Sequence, residues 1–174
     1  YKRQGVNLAA KRIDNMDFRS DRTANGLPQQ VNYLPALTKQ HTWRLVTLYP
    51  YATQPTGEFG LQGDVSFTIP KNSFLGSDET MVTLNASVIH ALDTTRTGLY
   101  TYDAAFLGSD RTYYRDINVE VTRKFGRDFK VTAAYINLAY DQDVIEGKAP
   151  AFETLYGTID VHFAVVELWW KLSK

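Results

Sequence analysis

The chain has 174 residues, no cysteine, and 19 Lys plus Arg against 19 Asp plus Glu. That length supports one domain with a core; the missing cysteines exclude a disulfide framework, a thiolate metal site and a cysteine nucleophile, and zero net charge removes the electrostatic footprint of a nucleic-acid binder. No apolar run reaches the ~18 residues of a transmembrane helix, which leaves membrane strands open, since those need only about 9–11 alternating residues.

Alternation, β-branched and aromatic content and flanking turn residues predict seven strands. GVNLAAK (5–11) places Val6, Leu8 and Ala10 on one face. HTWRLVTLY (41–49) places Trp43, Leu45 and Tyr49 together. EFGLQGDVSFTI (58–69) alternates most cleanly: Phe59, Leu61, Val65, Phe67 and Ile69 oppose Gln62, Asp64, Ser66 and Thr68. TMVTLNASVI (80–89) sets Val82, Leu84, Ala86 and Val88 against Thr83, Asn85 and Ser87. YYRDINVEVTR (113–123) sets Ile117, Val119 and Val121 against Asp116, Asn118, Glu120 and Thr122. FKVTAAYINLAY (129–140) has ambiguous faces, and GTIDVHFAVVELWWKL (157–172) is the most apolar run. Helical periodicity is absent, so the expectation is an all-β, antiparallel, up-and-down domain covering residues 1–174. The chain begins at Tyr1 without an initiator Met and ends inside a strand-like run, as expected of a mature piece or fragment.

The connections are unequal. KFGRD (124–128) and the turn near 70–79 are short; segments 13–40, 90–112 and 141–156 read as long loops. Segment 13–40 either hides another strand, around MDFRS or QVNYL, or folds into a lumen. FLGSDET (74–80) and FLGSDRT (106–112) nearly repeat, but they precede sequential antiparallel strands, so geometry disfavours one shared site and similar turn chemistry suffices.

Motifs that carry chemistry are scarce. His41, His90 and His162 are far apart and in no metal-binding spacing. Asp141, Asp143 and Glu146 in DQDVIEG have calcium-compatible oxygens but lack the full EF-hand loop, and read as a solvated tip. Asp64, Asp116, Glu120 and Glu167 lack a nucleophile elbow, phosphate loop or triad beside them. Tyr49 with Tyr51, Tyr113 with Tyr114, and Trp169 with Trp170 suit strand ends at a membrane interface. No catalytic residue, metal or cofactor is expected.

Alternation alone does not say which face meets what. A wall around an apolar core and a wall facing lipid around a wet lumen share one pattern. The strings RIDNMDFRSDR, NYLPALTKQHTWRLVTLYPYATQPTGEFGLQGDV, YYRDINVEVTRKF and FKVTAAYINLAYDQDVIEG, within about residues 11 to 147, resemble an uncharacterised family of Bacteroidota outer-membrane β-barrel proteins. The resemblance implies an interior stretch, seven to eight strands, of a larger transmembrane barrel in the bacterial outer membrane, and an odd strand count agrees. It implies lipid contact for Phe59, Leu61, Val65, Phe67, Ile69, Ile117, Val119 and Val121. It implies lumen contact for Gln62, Asp64, Ser66, Thr68, Asp116, Asn118, Glu120 and Thr122. The partners expected are outer-membrane lipid and, through the loops at 13–40 and 90–112, other outer-membrane proteins or surface lipoproteins, in a structural or assembly role. The alternatives are a porin-like barrel passing a small solute, and a soluble lipocalin-like barrel with Val65 and Phe67 turned inward.

Overall fold

The computed structural model describes residues 4–21, 23, 31, 33–146 and 157–172. Six strands follow one another in a single antiparallel meander: β1 (Gln4–Asp14), β2 (Gly57–Ile69), β3 (Thr80–Arg96), β4 (Tyr102–Phe125), β5 (Phe129–Asp141) and β6 (Thr158–Trp170). The sheet is open, with β1 and β6 as its edges. One row of partners, Asn7, Asp64, Asn85, Asn118, Ile136 and Phe163, fixes which residues share a face. Side chains two apart along a strand share a face, so everything else follows from that row.

The two faces are unlike. One carries Asp64, Asn85, Ser87, Asp116 and Asn118, then Ile136, Leu138 and Tyr140 on β5. It is largely buried: Ser87, Asp116 and Leu138 are fully covered. The other carries Val6, Leu8, Leu61, Val65, Leu84, Ile117, Val121 and Val166, and it is exposed; Leu8 is 79% and Val166 70% accessible. The usual arrangement of a half-buried sheet, apolar side covered and polar side wet, is reversed here.

The cover on the polar face is residues 33–55, called the strap below. The expected strand at 41–49 does not form. Its centre is a single 3₁₀ turn, Val46–Leu48, with Val46 buried and Leu45 and Leu48 exposed. Three prolines, Pro35, Pro50 and Pro55, interrupt this stretch, and a proline cannot donate to a ladder. Beyond Asp14, the end of β1, the described part of 13–40 therefore supplies no further named strand, only an isolated bridging residue at Arg19. Its residues 33–40 begin the strap. Six strands rather than seven among the described residues also removes the odd count as an argument.

Residues 90–112 are no long loop either. The β3 and β4 ladder continues to Arg96 paired with Tyr102, through irregularities between Ile89 and Thr94. The result is a β-hairpin extending beyond the rest of the sheet. At the third long connection, Asp141 caps a short helix, α1 (Gln142–Ile145), by accepting from the Val144 amide; positions 147–156 of the expected loop lie outside the described residues. The short turns at 70–79 and 126–128 lie at the opposite end of the sheet. The FLGSD copies are likewise apart, one in the β2–β3 turn and one inside β4.

Candidate functional site

The strap meets the polar face through three anchors. At the first, Glu58 on β2 is wholly buried. Lys11 Nζ from β1 lies 2.7 Å from its Oε1. The Tyr51 hydroxyl and the Gln54 amide both donate to Oε2 at 2.7 Å. Lys11 also donates to the Pro35 carbonyl and to Thr53 Oγ1, each at 2.8 Å, tying both limbs of the strap to one lysine. Burial, and after it the Glu58 carboxylate, push the Tyr51 phenol well above its usual range.

The second anchor is His41, whose Nε2 lies 2.6 Å from Asp116 Oδ2 on β4; both side chains are almost fully covered. The third is Lys39, donating to Asn118 Oδ1 at 2.9 Å. These two residues join a polar ladder across the sheet. Asn118 Nδ2 donates to Asp116 Oδ1 and to Asn85 Oδ1, and Asn85 Nδ2 donates to Asp64 Oδ1. Buried polar groups of this kind are stable only when partnered, and here the strap supplies partners to Glu58, Asp116 and Asn118.

Apolar packing completes the contact. Val46 and Tyr51 of the strap form one cluster with Ile89, Tyr114, Ile136, Leu138 and Tyr140 of the sheet. Tyr49 stacks at a tilt on Tyr140 and Phe163, and Tyr51 on Tyr114. Tyr49, Tyr51 and Tyr114 are thus not strand-end aromatics at a rim; they fill the covered face. A cavity of about 660 Å³ remains beside the strap, lined by Tyr33, Lys39, His41, Tyr49, Thr53 and Tyr114 among others. The strap has no Asp or Glu but carries Lys39, His41 and Arg44, opposite a face holding Glu58, Asp64, Asp116 and Glu120. That absence of acidic residues, together with the three prolines, is the signal by which the strap is legible in the sequence.

The cover is one-sided. Toward the short turns the same face carries Ser66, Thr68, Thr83, Glu120 and Thr122, all half-buried, with Thr122 and Thr132 hydroxyls 3.1 Å apart. The expected lumen set (Gln62, Asp64, Ser66, Thr68, Asp116, Asn118, Glu120, Thr122) lies together on this face. The expected lipid set (Phe59, Leu61, Val65, Phe67, Ile69, Ile117, Val119, Val121) lies together on the other.

The apolar face has a shaped boundary. On β2 its apolar run reaches Phe59, whose partner on β3 is His90. The run on β3 therefore stops at Val88, whose partner on β4 is Arg115. On β4 it stops at Ile117, opposite Asn137 on β5. On β5 it stops at Tyr135, above which only the small, buried Ala139 interrupts polar positions; on β6 it stops at Ala164, next to His162. The edge strand β1 does not extend the slope; its run ends at Ala10, before Arg12. Above the boundary sits a polar group: Arg115 donates to Asn137 Oδ1 and Asp160 Oδ2, and Tyr135 OH and Asn137 Nδ2 reach His162 Nδ1. His162 is thus an exposed member of this polar group. At the opposite end, Phe125, Phe129 and Trp170 form one register row on this face, with the two phenylalanine rings 5.7 Å apart.

Among the described residues no cluster of His, Cys, Asp and Glu is placed to hold a metal. Asp141, from the DQDVIEG segment, is engaged by Arg111 and by the α1 amide. No helix of the described structure is long and apolar enough to cross a membrane, which says nothing of strands.

An open antiparallel meander with one polar face under a strap and one bare apolar face is the class this geometry defines. A family model described only as a family of unknown function (DUF6029) matches residues 1–174, and the chain belongs to that family. Comparison with curated proteins and with solved structures found no match.

Proposed function

We propose that this chain forms part of the wall of a transmembrane β-barrel of the bacterial outer membrane, as its resemblance to Bacteroidota barrel proteins implies. In this reading the apolar face meets lipid, the polar face lines the lumen, and the strap fills the lumen toward the long-loop end. The observation that carries it is the reversed exposure: Val6, Leu8, Leu61, Ile117 and Val166 are bare while Ser87, Asp116 and Asn118 are covered. In water a bare apolar face of this extent is a liability; in lipid it is required.

Two further features support it. From Phe59 to Tyr135 the apolar boundary drops six residues, then runs level to Ala164, the partner of Tyr135, so the average is taken over four strand steps from the Asp64–Asn85–Asn118–Ile136–Phe163 row. At ~3.4 Å per residue and ~4.8 Å between strands, that is a slant of about 45°. A flat membrane crossing a sheet of strands tilted 35–45° gives such a slant. The Phe125–Phe129–Trp170 row runs level with the register, so part of it stands at an interface parallel to this boundary near the short turns, where aromatic girdles lie. A soluble barrel with an apolar interior calls for the cover on Val65's side of the sheet, where the described residues place none across Val65 and Leu61. Closure falls to strands pairing with the edges of β1 and β6, since unpaired backbone groups in hydrocarbon cost several kcal/mol.

A filled lumen favours a structural or assembly subunit over an open solute pore, with outer-membrane proteins or surface lipoproteins as its partners on the long-loop side. The test is gel mobility of the native protein extracted in detergent from an outer-membrane fraction, together with conductance in planar bilayers. A heat-modifiable band with porin-scale conductance absent is the expected result. A soluble protein without a heat shift contradicts the barrel, and steady open-pore currents contradict the filled lumen.

A further inference from the structure

The β3–β4 hairpin above the sheet does not stand upright. At its base Arg111 ties to Asp141 on β5, and its contacts to β1 and β2 are made on their apolar, outward side. Arg12 Nη2 donates to the Ala105 carbonyl at 3.2 Å, and the Tyr102 hydroxyl donates to Asp14. Gly57 lies against Leu92, and Gly108 lies against His90 and Phe59. Arg12, Asp14, Gly57 and Phe59 all occupy outward positions of the register. A Cβ at Gly108 would stand 2.6 Å from His90 Cβ and 3.3 Å from Phe59 Cβ, so glycine is what lets the hairpin cross so closely. The ladder irregularities between Ile89 and Thr94 supply the bend.

The hairpin thus leans over the outer rim, and it carries exposed apolar side chains there. Phe106 is 79% and Leu107 61% accessible, with Leu99 and Tyr100 exposed toward the tip. These two residues immediately precede Gly108, which touches Phe59, the topmost apolar residue of β2's outward run. The exposed pair thus lies in the chain next to the point where the hairpin touches the upper end of the apolar band.

We infer that the β3–β4 hairpin is a lipid-interface anchor: Phe106 and Leu107 insert into the membrane beside the barrel wall, at the long-loop rim. This rests on the lipid-facing reading of the Val65 side. It also gives the hairpin a different task from the partner-binding loop expected at 90–112. Apolar side chains next to a membrane surface bind it through the area they bury there, and the position beside Phe59 brings them to that surface without any change in the sheet.

The chain has no cysteine, so single-cysteine variants of the native protein, with any cysteine outside these residues replaced by serine, can carry one environment-sensitive fluorophore each. Phe106→Cys and Leu107→Cys are compared with Val65→Cys on the outward face and Ser66→Cys on the inward face, in vesicles of phosphatidylcholine with and without brominated acyl chains. Quenching by bromine at 106 or 107 reaching at least half that at 65, with none at 66, is the expected result. Quenching at 65 but none at 106 and 107 overturns the anchor and leaves the barrel reading standing, with a protein partner for the hairpin then the better account. Absence of quenching at 65 as well overturns both. Gly108→Val adds a second reading: displacing the hairpin from Phe59 is expected to abolish quenching at 106 while that at 65 is unchanged. Unchanged quenching at 106 in that variant contradicts the crossing as the device that delivers the anchor.

Discussion

The two faces of the sheet teach different lessons about what a hydrophobic residue does. Leu138 on β5 and Leu168 on β6 are the same residue type in neighbouring strands. Leu138 is fully covered by the strap cluster, whereas Leu168 is exposed on the other face. The polar face gains its order from a segment that contributes cations, hydroxyls and aromatic rings. Among the described residues no segment covers the middle of the apolar face, and its order is a boundary that slopes from β2 to β5. One face is specified by partners within the chain, and the other by the surroundings it needs.

The largest expected effect on that contrast lies at the second anchor. His41→Leu leaves the buried Asp116 carboxylate facing a methyl group. Removing one partner of a buried pair costs about 3–5 kcal/mol, to be read in urea unfolding of the protein in vesicles. A loss below 1 kcal/mol would mean that the strap does not hold the face as described. Next comes the matched leucine pair. Leu138→Ala should cost about 2–5 kcal/mol through the cavity it leaves. Leu168→Ala, facing outward, should cost less than half as much by the same assay, and equal losses would erase the distinction between the faces.

The smallest effect is a pH dependence. Tyr51 is held above the usual phenol range by burial and by Glu58. Below ~10, the unfolded value, both states keep the proton and its contribution is fully present. As pH rises through ~10 the unfolded chain releases the proton while the folded one retains it, so stability falls. Tyr51→Phe should flatten that fall in the alkaline limb of a pH series, and an unchanged slope would detach Tyr51 from it.

How much of this was legible in the sequence follows the same division. Strict alternation in 58–69 and 113–123 located two strands and sorted Asp64 from Val65 and Asn118 from Val119. The short turns at 70–79 and 126–128 were enough to pair β2 with β3 and β4 with β5. The stretch 41–49 misled because Trp43, Val46 and Tyr49 have the composition of a strand, yet they are there to pack onto one; propensity reports a half-buried surface, not a ladder. Segment 90–112 was missed for the opposite reason. LDTTRTGLYTYDAAFLGSD has little alternation, because a hairpin beyond the sheet has no common buried face to require it. The sign of the two faces was not legible at all from periodicity, since core and lipid ask for the same pattern.

The measurement that tests the account most directly is paired arginine substitution at adjacent positions of β2, Val65→Arg and Ser66→Arg, followed by assembly into the outer membrane. Arginine facing lipid near the midplane costs about 2–4 kcal/mol, whereas a lumen-facing one avoids most of that. The account predicts that Val65→Arg sharply reduces the heat-modifiable, membrane-inserted form and that Ser66→Arg assembles normally. Equal tolerance of the two, or loss at Ser66 alone, would contradict the assignment of the apolar face to lipid.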